Sequence, residues 1–123
     1  MRVSHWALAA LLIAAASPAL ADGDAARGRA LFSRCAACHT VTDQNKLGPH
    51  LSGVVGRVAG TVAGYTYSKA MAAYGKTWDE ATLDAFLAGP AKAVPGTKMA
   101  APPISNPQDR ADLIAYLKTL TAS

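Results

Sequence analysis

Cys35 and Cys38 are the two cysteines of the chain, and they stand three residues apart in Cys35-Ala36-Ala37-Cys38-His39. Two thiols at this spacing, followed at once by an imidazole, form the haem attachment pattern Cys-x-x-Cys-His. The spacing has a chemical reason. Each thiol can add to a vinyl group on one edge of a porphyrin, giving two thioethers. The next side chain then lies under the ring, where it can offer a nitrogen to the iron. Two other chemistries use such residues. A redox disulfide usually opens a helix after a buried strand in an alternating α/β pattern, and no such pattern occurs here. A structural zinc site needs four ligands. Cys35, Cys38, His39 and His50 make that number, but adjacent Cys38 and His39 would crowd one small ion.

Haem iron has a second axial position, and its occupant separates electron transfer from ligand chemistry. Met71 sits in Ser-Lys-Ala-Met-Ala-Ala-Tyr, a helix-like run in which methionine is usually core filler. Met99 sits in Val-Pro-Gly-Thr-Lys-Met-Ala-Ala-Pro-Pro, a Gly/Pro loop with no periodicity that would bury it. A thioether in such a loop is the favoured second ligand; the alternative is a loop methionine packed on the ring edge. Lys98 would first have to lose a proton. His50, following Gly48-Pro49 only 11 residues after His39, falls on the same side of the ring and reads as a partly exposed loop histidine. With Met99 on the iron the protein is expected to be an electron carrier and not an enzyme. With that position open it would be a haem peroxidase or gas-binding protein, and with no haem a thiol oxidoreductase.

The first residues read as an address, not as fold. A positively charged start, the 11-residue apolar run Trp6 to Ala16, and Ala19-Leu20-Ala21 before Asp22 match a cleavable secretory leader over residues 1–21. The run is too short for a membrane anchor, which needs roughly 20 apolar residues, and Pro18 interrupts it. Residues 22–123 then form one domain of 102 residues, expected to act as a monomer with no membrane span after cleavage. Export points to the periplasm of a Gram-negative bacterium. Without Arg2 the charge is 11 basic against 8 acidic residues, a net +3. The basic residues are scattered, with no run of four and no aromatic interleaving, so the clustered stripe of a nucleic-acid binder is missing. A chain this short buries only ~60–70% of its unfolded surface. Rich in alanine and glycine, it needs apolar volume from elsewhere, and a large flat cofactor would supply it.

The elements that must position these groups are all helical. A first helix is expected from Asp24 to about Cys38, with Asp24 or Gly23 at its start and Leu31 and Phe32 sharing a face with Ala25 and Gly28. Residues 40–66 are rich in Gly and Pro, and so long a loop implies a function such as wrapping a cofactor. Short helices follow over Ser68 to Tyr74 and Asp79 to Ala88, the second closed by Gly89-Pro90. The last helix has Asn106 as N-cap, Pro107 in its first turn and Asp109 near its positive end. Its stripe of Leu113, Ile114, Tyr116, Leu117 and Leu120 runs to about Leu120. No strand alternation or internal repeat appears. The first and last helices are expected to cross where Gly28 lets Leu113 or Tyr116 approach.

These segments taken together resemble a class I cytochrome c, close to the mitochondrial and soluble bacterial carriers. Gly-Asp-Ala-Ala-Arg-Gly-Arg-Ala-Leu-Phe-Ser-Arg-Cys-Ala-Ala-Cys-His, Leu-Gly-Pro-His-Leu-Ser-Gly, Ala-Gly-Tyr-Thr-Tyr-Ser-Lys-Ala-Met, Pro-Gly-Thr-Lys-Met and Arg-Ala-Asp-Leu-Ile-Ala-Tyr-Leu-Lys appear in the family's order across residues 23–120. The resemblance implies a small all-α fold of helices and long loops wrapped around one covalent haem c, held by Cys35 and Cys38. It implies His39 and Met99 on the iron, with the Pro49 carbonyl on the far nitrogen of His39. Arg57, Tyr67 and Trp78 would bond the buried propionates, and Thr97 would help hold the Met99 loop. It also implies redox complexes as partners: a quinol-oxidising complex as donor and a terminal oxidase as acceptor, or a periplasmic dehydrogenase or reductase. Arg34, Lys46, Lys92 and Lys98 are candidates for a basic rim that steers acidic partner faces.

Three positions depart from the family pattern. His50 stands where asparagine is common, Phe86 where a tyrosine hydroxyl lies near the methionine sulfur, and Met71 where an asparagine often neighbours a buried water. Phe86 and Met71 would make the methionine side drier. That disfavours the extra charge of oxidised iron and raises the potential; losing the hydroxyl opposes the change.

Overall fold

The computed structural model describes residues 3–4, 9–10 and 22–122. The leader expected over residues 1–21 lies outside them except at those four positions.

Helix α1 spans Ala25–Leu31 and starts as the sequence requires. Asp24 is its N-cap, its Oδ1 accepting from the N–H groups of Ala26 and Arg27 and so satisfying two of the donors a helix start leaves open. The α-helix does not continue to Cys38. A 3-10 turn over Phe32–Arg34 tightens the chain, and residues 35–38 are turns. The short bonds that close this stretch, Cys35 N–H to Phe32 O at 2.8 Å and Cys38 N–H to Cys35 O at 3.1 Å, give the tight i→i+3 geometry of 3-10 structure. The attachment motif therefore follows α1 and its 3-10 turn instead of forming part of the helix.

Two four-residue helices, α2 over Lys69–Ala72 and α4 over Pro90–Ala93, flank α3 over Glu80–Ala88. Ser68 caps α2 and Asp79 caps α3 with their side-chain oxygens. The sequence reading took Gly89-Pro90 only as a stop. Pro90 also begins α4, because proline suits the first helical turn, where its missing N–H would have had no partner. Helix α5 spans Pro107–Lys118, capped by Asn106 as expected, and ends two residues before Leu120. Among the described residues there is no strand, only one isolated antiparallel bridge between Val58 and Thr77.

Helices α1 and α5 cross in close contact at Gly28. A Cβ built there would lie 1.9 Å from the Asp112 carbonyl oxygen and 2.9 Å from the Tyr116 Cβ. Tyr116 is one of the two expected neighbours. The nearest approach is instead to the Asp112 main chain, because Leu113 turns inward and is 1% exposed. Phe32 stacks at a tilt on Tyr116, ring centres 5.5 Å apart. Leu83, Phe86 and Leu87 of α3 join Phe32, Trp78, Leu113, Ile114 and Leu117 in one apolar cluster. That cluster is the floor on which the loops are laid.

Candidate functional site

The turn after α1 carries Cys35 and Cys38, which are not joined in a disulfide. Cys35 is half-buried, and burial pushes its thiol up from the ordinary value. Cys38 is exposed. The turn ends with the His39 N–H bonded to Cys35 O at 2.9 Å, so all three motif residues sit on one hydrogen-bonded loop.

His39 is held in a defined tautomer. Its Nδ1 is 2.7 Å from the Pro49 carbonyl. A carbonyl only accepts, so Nδ1 carries the proton and Nε2 keeps its lone pair. Burial lowers the His39 pKa, the Pro49 bond opposes this in part, and Arg57 lowers it further, which keeps the ring neutral. Gly48 lies flat against the ring. A Cβ there would stand 2.3 Å from Cε1 and 2.7 Å from Nδ1, so any larger residue would displace the imidazole. The sequence reading missed this role, since glycine before proline looks like ordinary turn chemistry.

Met99 comes from the segment between α4 and α5. The Pro95-Gly96 turn is closed by Thr97 N–H on Val94 O at 3.0 Å. The Thr97 hydroxyl then accepts from the Met99 N–H at 3.3 Å. Lys98 is tied down on both counts, its ammonium donating to the Thr66 carbonyl and lying 4.5 Å from the Tyr65 ring centre. His50 is half-buried, with Nδ1 paired to the Ser52 hydroxyl at 2.9 Å, and it is not among the residues that line the cavity described next.

That cavity has a volume of ≈570 Å³, within the range of about 300–1,000 Å³ typical of cofactor sites. Cys35, Cys38, His39, Pro49, Arg57, Tyr67, Trp78, Thr97 and Met99 all line it. All nine residues singled out from the sequence therefore meet at one place. Met71 and Phe86 line it too, so two of the three departures bear on the site directly.

The donors of the cavity wall fit a haem with ionised acid groups. Trp78 is 7% exposed, yet its indole N–H has no acceptor among the described residues. Arg57 is half-buried and pairs with no carboxylate among them; burial pulls its guanidinium below the ordinary value. One of its nitrogens is shared between the carbonyls of His50 at 3.1 Å and Ser52 at 3.4 Å. The Tyr67 hydroxyl accepts from the Val62 N–H at 3.0 Å, which leaves its own proton to give. A half-buried cation and donors with protons to give on the wall of a largely apolar cavity suit an anionic ligand with acceptor oxygens. The thiols could supply attachment, and the Nε2 lone pair and the thioether could supply ligands to an iron, for the same group.

Comparison with known proteins agrees. The chain matches the family described as Cytochrome c over residues 25–121. It is 48% identical to cytochrome c2 of Rhodomicrobium vannielii over 121 residues, covering 97% of this chain and 97% of that one. It is 50% identical to cytochrome c of Gossypium barbadense over 103 residues, covering 81% and 93%. Among solved structures, cytochrome cH from Methylobacterium extorquens superposes with a TM-score of 0.76 at 52% identity, over 79% of this chain and 99% of that chain. The chain belongs to the cytochrome c family, with the class I fold and one covalent c-type haem carried through its cysteines.

Proposed function

We propose that this chain is a single-electron carrier whose iron is ligated by His39 and Met99, with Cys35 and Cys38 as the thioether anchors. When bound, the haem supplies a one-electron ferric/ferrous couple. The protein's own groups do the rest. Pro49 and Gly48 fix the His39 ring so that Nε2 is the donor atom. Thr97 restrains the Met99 loop. Arg57, Tyr67 and Trp78 receive the two propionates, and the apolar floor of Leu83, Phe86, Leu113 and Leu117 keeps water away. Two protein ligands leave no iron position for a substrate, so the role is transfer and not turnover. A thioether ligand favours the reduced state and sets a comparatively high potential.

The observation that supports this reading most is the convergence of the Nε2 of neutral His39 and the sulfur-bearing Met99 on the cavity that also holds both thiols. Residues 1–21 serve as a cleaved export leader, which puts the carrier domain of residues 22–123 in the periplasm. Among the described residues no helix is long and apolar enough to cross a membrane. Its partners are a quinol-oxidising complex or periplasmic dehydrogenase as donor and a terminal oxidase or reductase as acceptor.

A redox titration followed by visible spectroscopy tests the reading. One reversible one-electron transition is expected, together with the weak far-red band of thioether-bound ferric iron. Met99→Ala should remove that band, lower the potential and let the reduced protein bind carbon monoxide rapidly. A wild-type protein that already binds carbon monoxide rapidly would show an open iron and defeat the proposal.

A further inference from the structure

The His39 ring proton is given to a carbonyl that is itself part of a longer chain of hydrogen bonds. The carbonyl of Pro49 and the N–H of His50 are the two ends of one amide group. Its oxygen receives His39 Nδ1–H at 2.7 Å, and its N–H donates to Asn45 Oδ1 at 3.1 Å. The peptide is trans, so the two bonds leave the amide on opposite sides. Asn45 is oriented for this by its other end, where Nδ2 donates to the Ala63 carbonyl at 3.1 Å. Only one orientation of the side-chain amide satisfies both contacts.

We propose that Asn45 is a positioning residue for His39: by accepting the His50 N–H it polarises the single peptide group that receives the His39 ring proton. An amide that donates at nitrogen is a stronger acceptor at oxygen, by about 10–30% per bond in a chain of this kind. The stronger Nδ1–H bond leaves more electron density on the imidazole and makes Nε2 a better donor, as a ligand's outer partners do. A better donor favours the oxidised iron. Two further bonds keep the relay aligned: Arg57 on the His50 carbonyl at 3.1 Å and Ser52 on the His50 ring at 2.9 Å. Nothing in the sequence singles out Asn45, which lies in a polar loop run. The inference rests on His39 being an iron ligand.

The test uses the intact haem protein and separates polarisation from simple loop bridging. Asn45→Ala removes both contacts. Asn45→Asp keeps an oxygen for the His50 N–H but loses the donor to Ala63, so it loosens the loop without breaking the relay. At equal poise, Asn45→Ala should raise the reduced-to-oxidised ratio about twofold to threefold, or ~20–30 mV at 59 mV per decade for one electron. Asn45→Asp should show a similar loss of thermal stability with a wild-type or lower potential. Measuring at 1 M salt, where the Debye length is about 3 Å, screens the added charge. In the reduced state the His39 Nδ1–H resonance should move upfield in Asn45→Ala and stay at or beyond its wild-type downfield position in Asn45→Asp. Equal potentials in both variants, or an upfield move in Asn45→Asp, would overturn the proposal; the second result needs no alanine variant. Loss of the hyperfine-shifted His39 ring signals from the wild-type ferric protein would instead overturn the ligation of His39 itself.

Discussion

At the crossing of α1 and α5, polar groups withdrawn from water find their partners within the chain. The Asp112 carboxylate, 1% exposed, accepts from the Asp24 N–H at 2.8 Å, Arg27 Nη1 at 2.6 Å and Gln108 Nε2 at 2.8 Å. In the cavity wall, Trp78 is buried and Arg57 half-buried, but among the described residues the indole N–H has no acceptor and the guanidinium no carboxylate, and both open on the cavity. The first region is complete as a polypeptide and the second is complete only with its cofactor. The contrast teaches where each region's stability comes from. Helix packing with internal polar closure holds the crossing. The loops are held by what they enclose.

The strongest way to break this division is to remove the covalent anchors. The double substitution Cys35→Ser with Cys38→Ser should abolish haem staining on a denaturing gel. Hydrogen exchange on the resulting protein should show amides of residues 40–66 losing protection before those of α1 and α5. Uniform loss across the two regions would erase the distinction.

Gly28→Val probes the crossing from the other side. A Cβ 1.9 Å from the Asp112 carbonyl meets backbone, which cannot move aside without separating the helices. Destabilisation of about 3 kcal/mol, at the upper end of overpacking penalties, should appear in the denaturant midpoint. The visible spectrum of the folded protein should stay unchanged. A spectral shift would mean that the crossing and the haem wall are not separable.

Acid should weaken the crossing through Asp112. Its three donors, the Asp24 N–H above all and then Arg27 and Gln108, hold the Asp112 carboxyl below the ordinary carboxylate range. A pKa depressed on folding adds stability above the unfolded value of about 4 and loses it as pH falls through the lower folded value. Asp112→Asn should therefore melt at a lower temperature at pH 7, while its melting temperature falls less steeply than that of the wild type below about pH 4. Parallel acid limbs would show that Asp112 is not a controlling group.

The same division explains what the sequence made legible. Caps are local, so Asp24, Asp79 and Asn106 could be read directly, as could the Leu113-Leu117 stripe, whereas Ser68, expected inside its helix, proves to be the cap. Cysteine spacing and the isolated Met99 located the cavity without any long-range reasoning. Arg57, Tyr67, Trp78 and Thr97 came only through family resemblance, because their meaning depends on contacts across the loop fold. Gly48 against His39, Asn45 under the Pro49-His50 amide and the Asp112 network were not legible, since each joins residues whose spacing carries no period. The helix end was misplaced at Cys38 because the apolar pattern cannot distinguish α from 3-10 turns once the chain bends around its attachment motif.

The smallest expected effect concerns the surface where the two regions meet the solvent. Of the four proposed rim cations, Lys98 is bound to the Thr66 carbonyl and Lys46 reaches the Ala36 carbonyl at 3.2 Å. Arg34 is exposed, lines the cavity mouth beside Cys35, and has no carboxylate partner among the described residues. Lys92 is exposed too, without a carboxylate partner among the described residues, but it does not line the cavity, so Arg34 is the unpaired cation placed beside the attachment motif. Lys118 is the contrasting case, an exposed cation already paired with Glu80 at 2.5 Å. Electron-transfer rates with an acidic redox partner should fall as salt rises. Arg34→Ala should slow the reaction about twofold to threefold at low ionic strength, the range in which rim charges act on association. The two proteins should converge near 1 M salt, where screening shortens the reach of a charge to about 3 Å. Lys118→Ala should leave the low-salt rate alone, because the charge it removes was already answered by Glu80. Equal slowing by both substitutions would assign the effect to net charge and remove any special place for Arg34 at the cavity mouth.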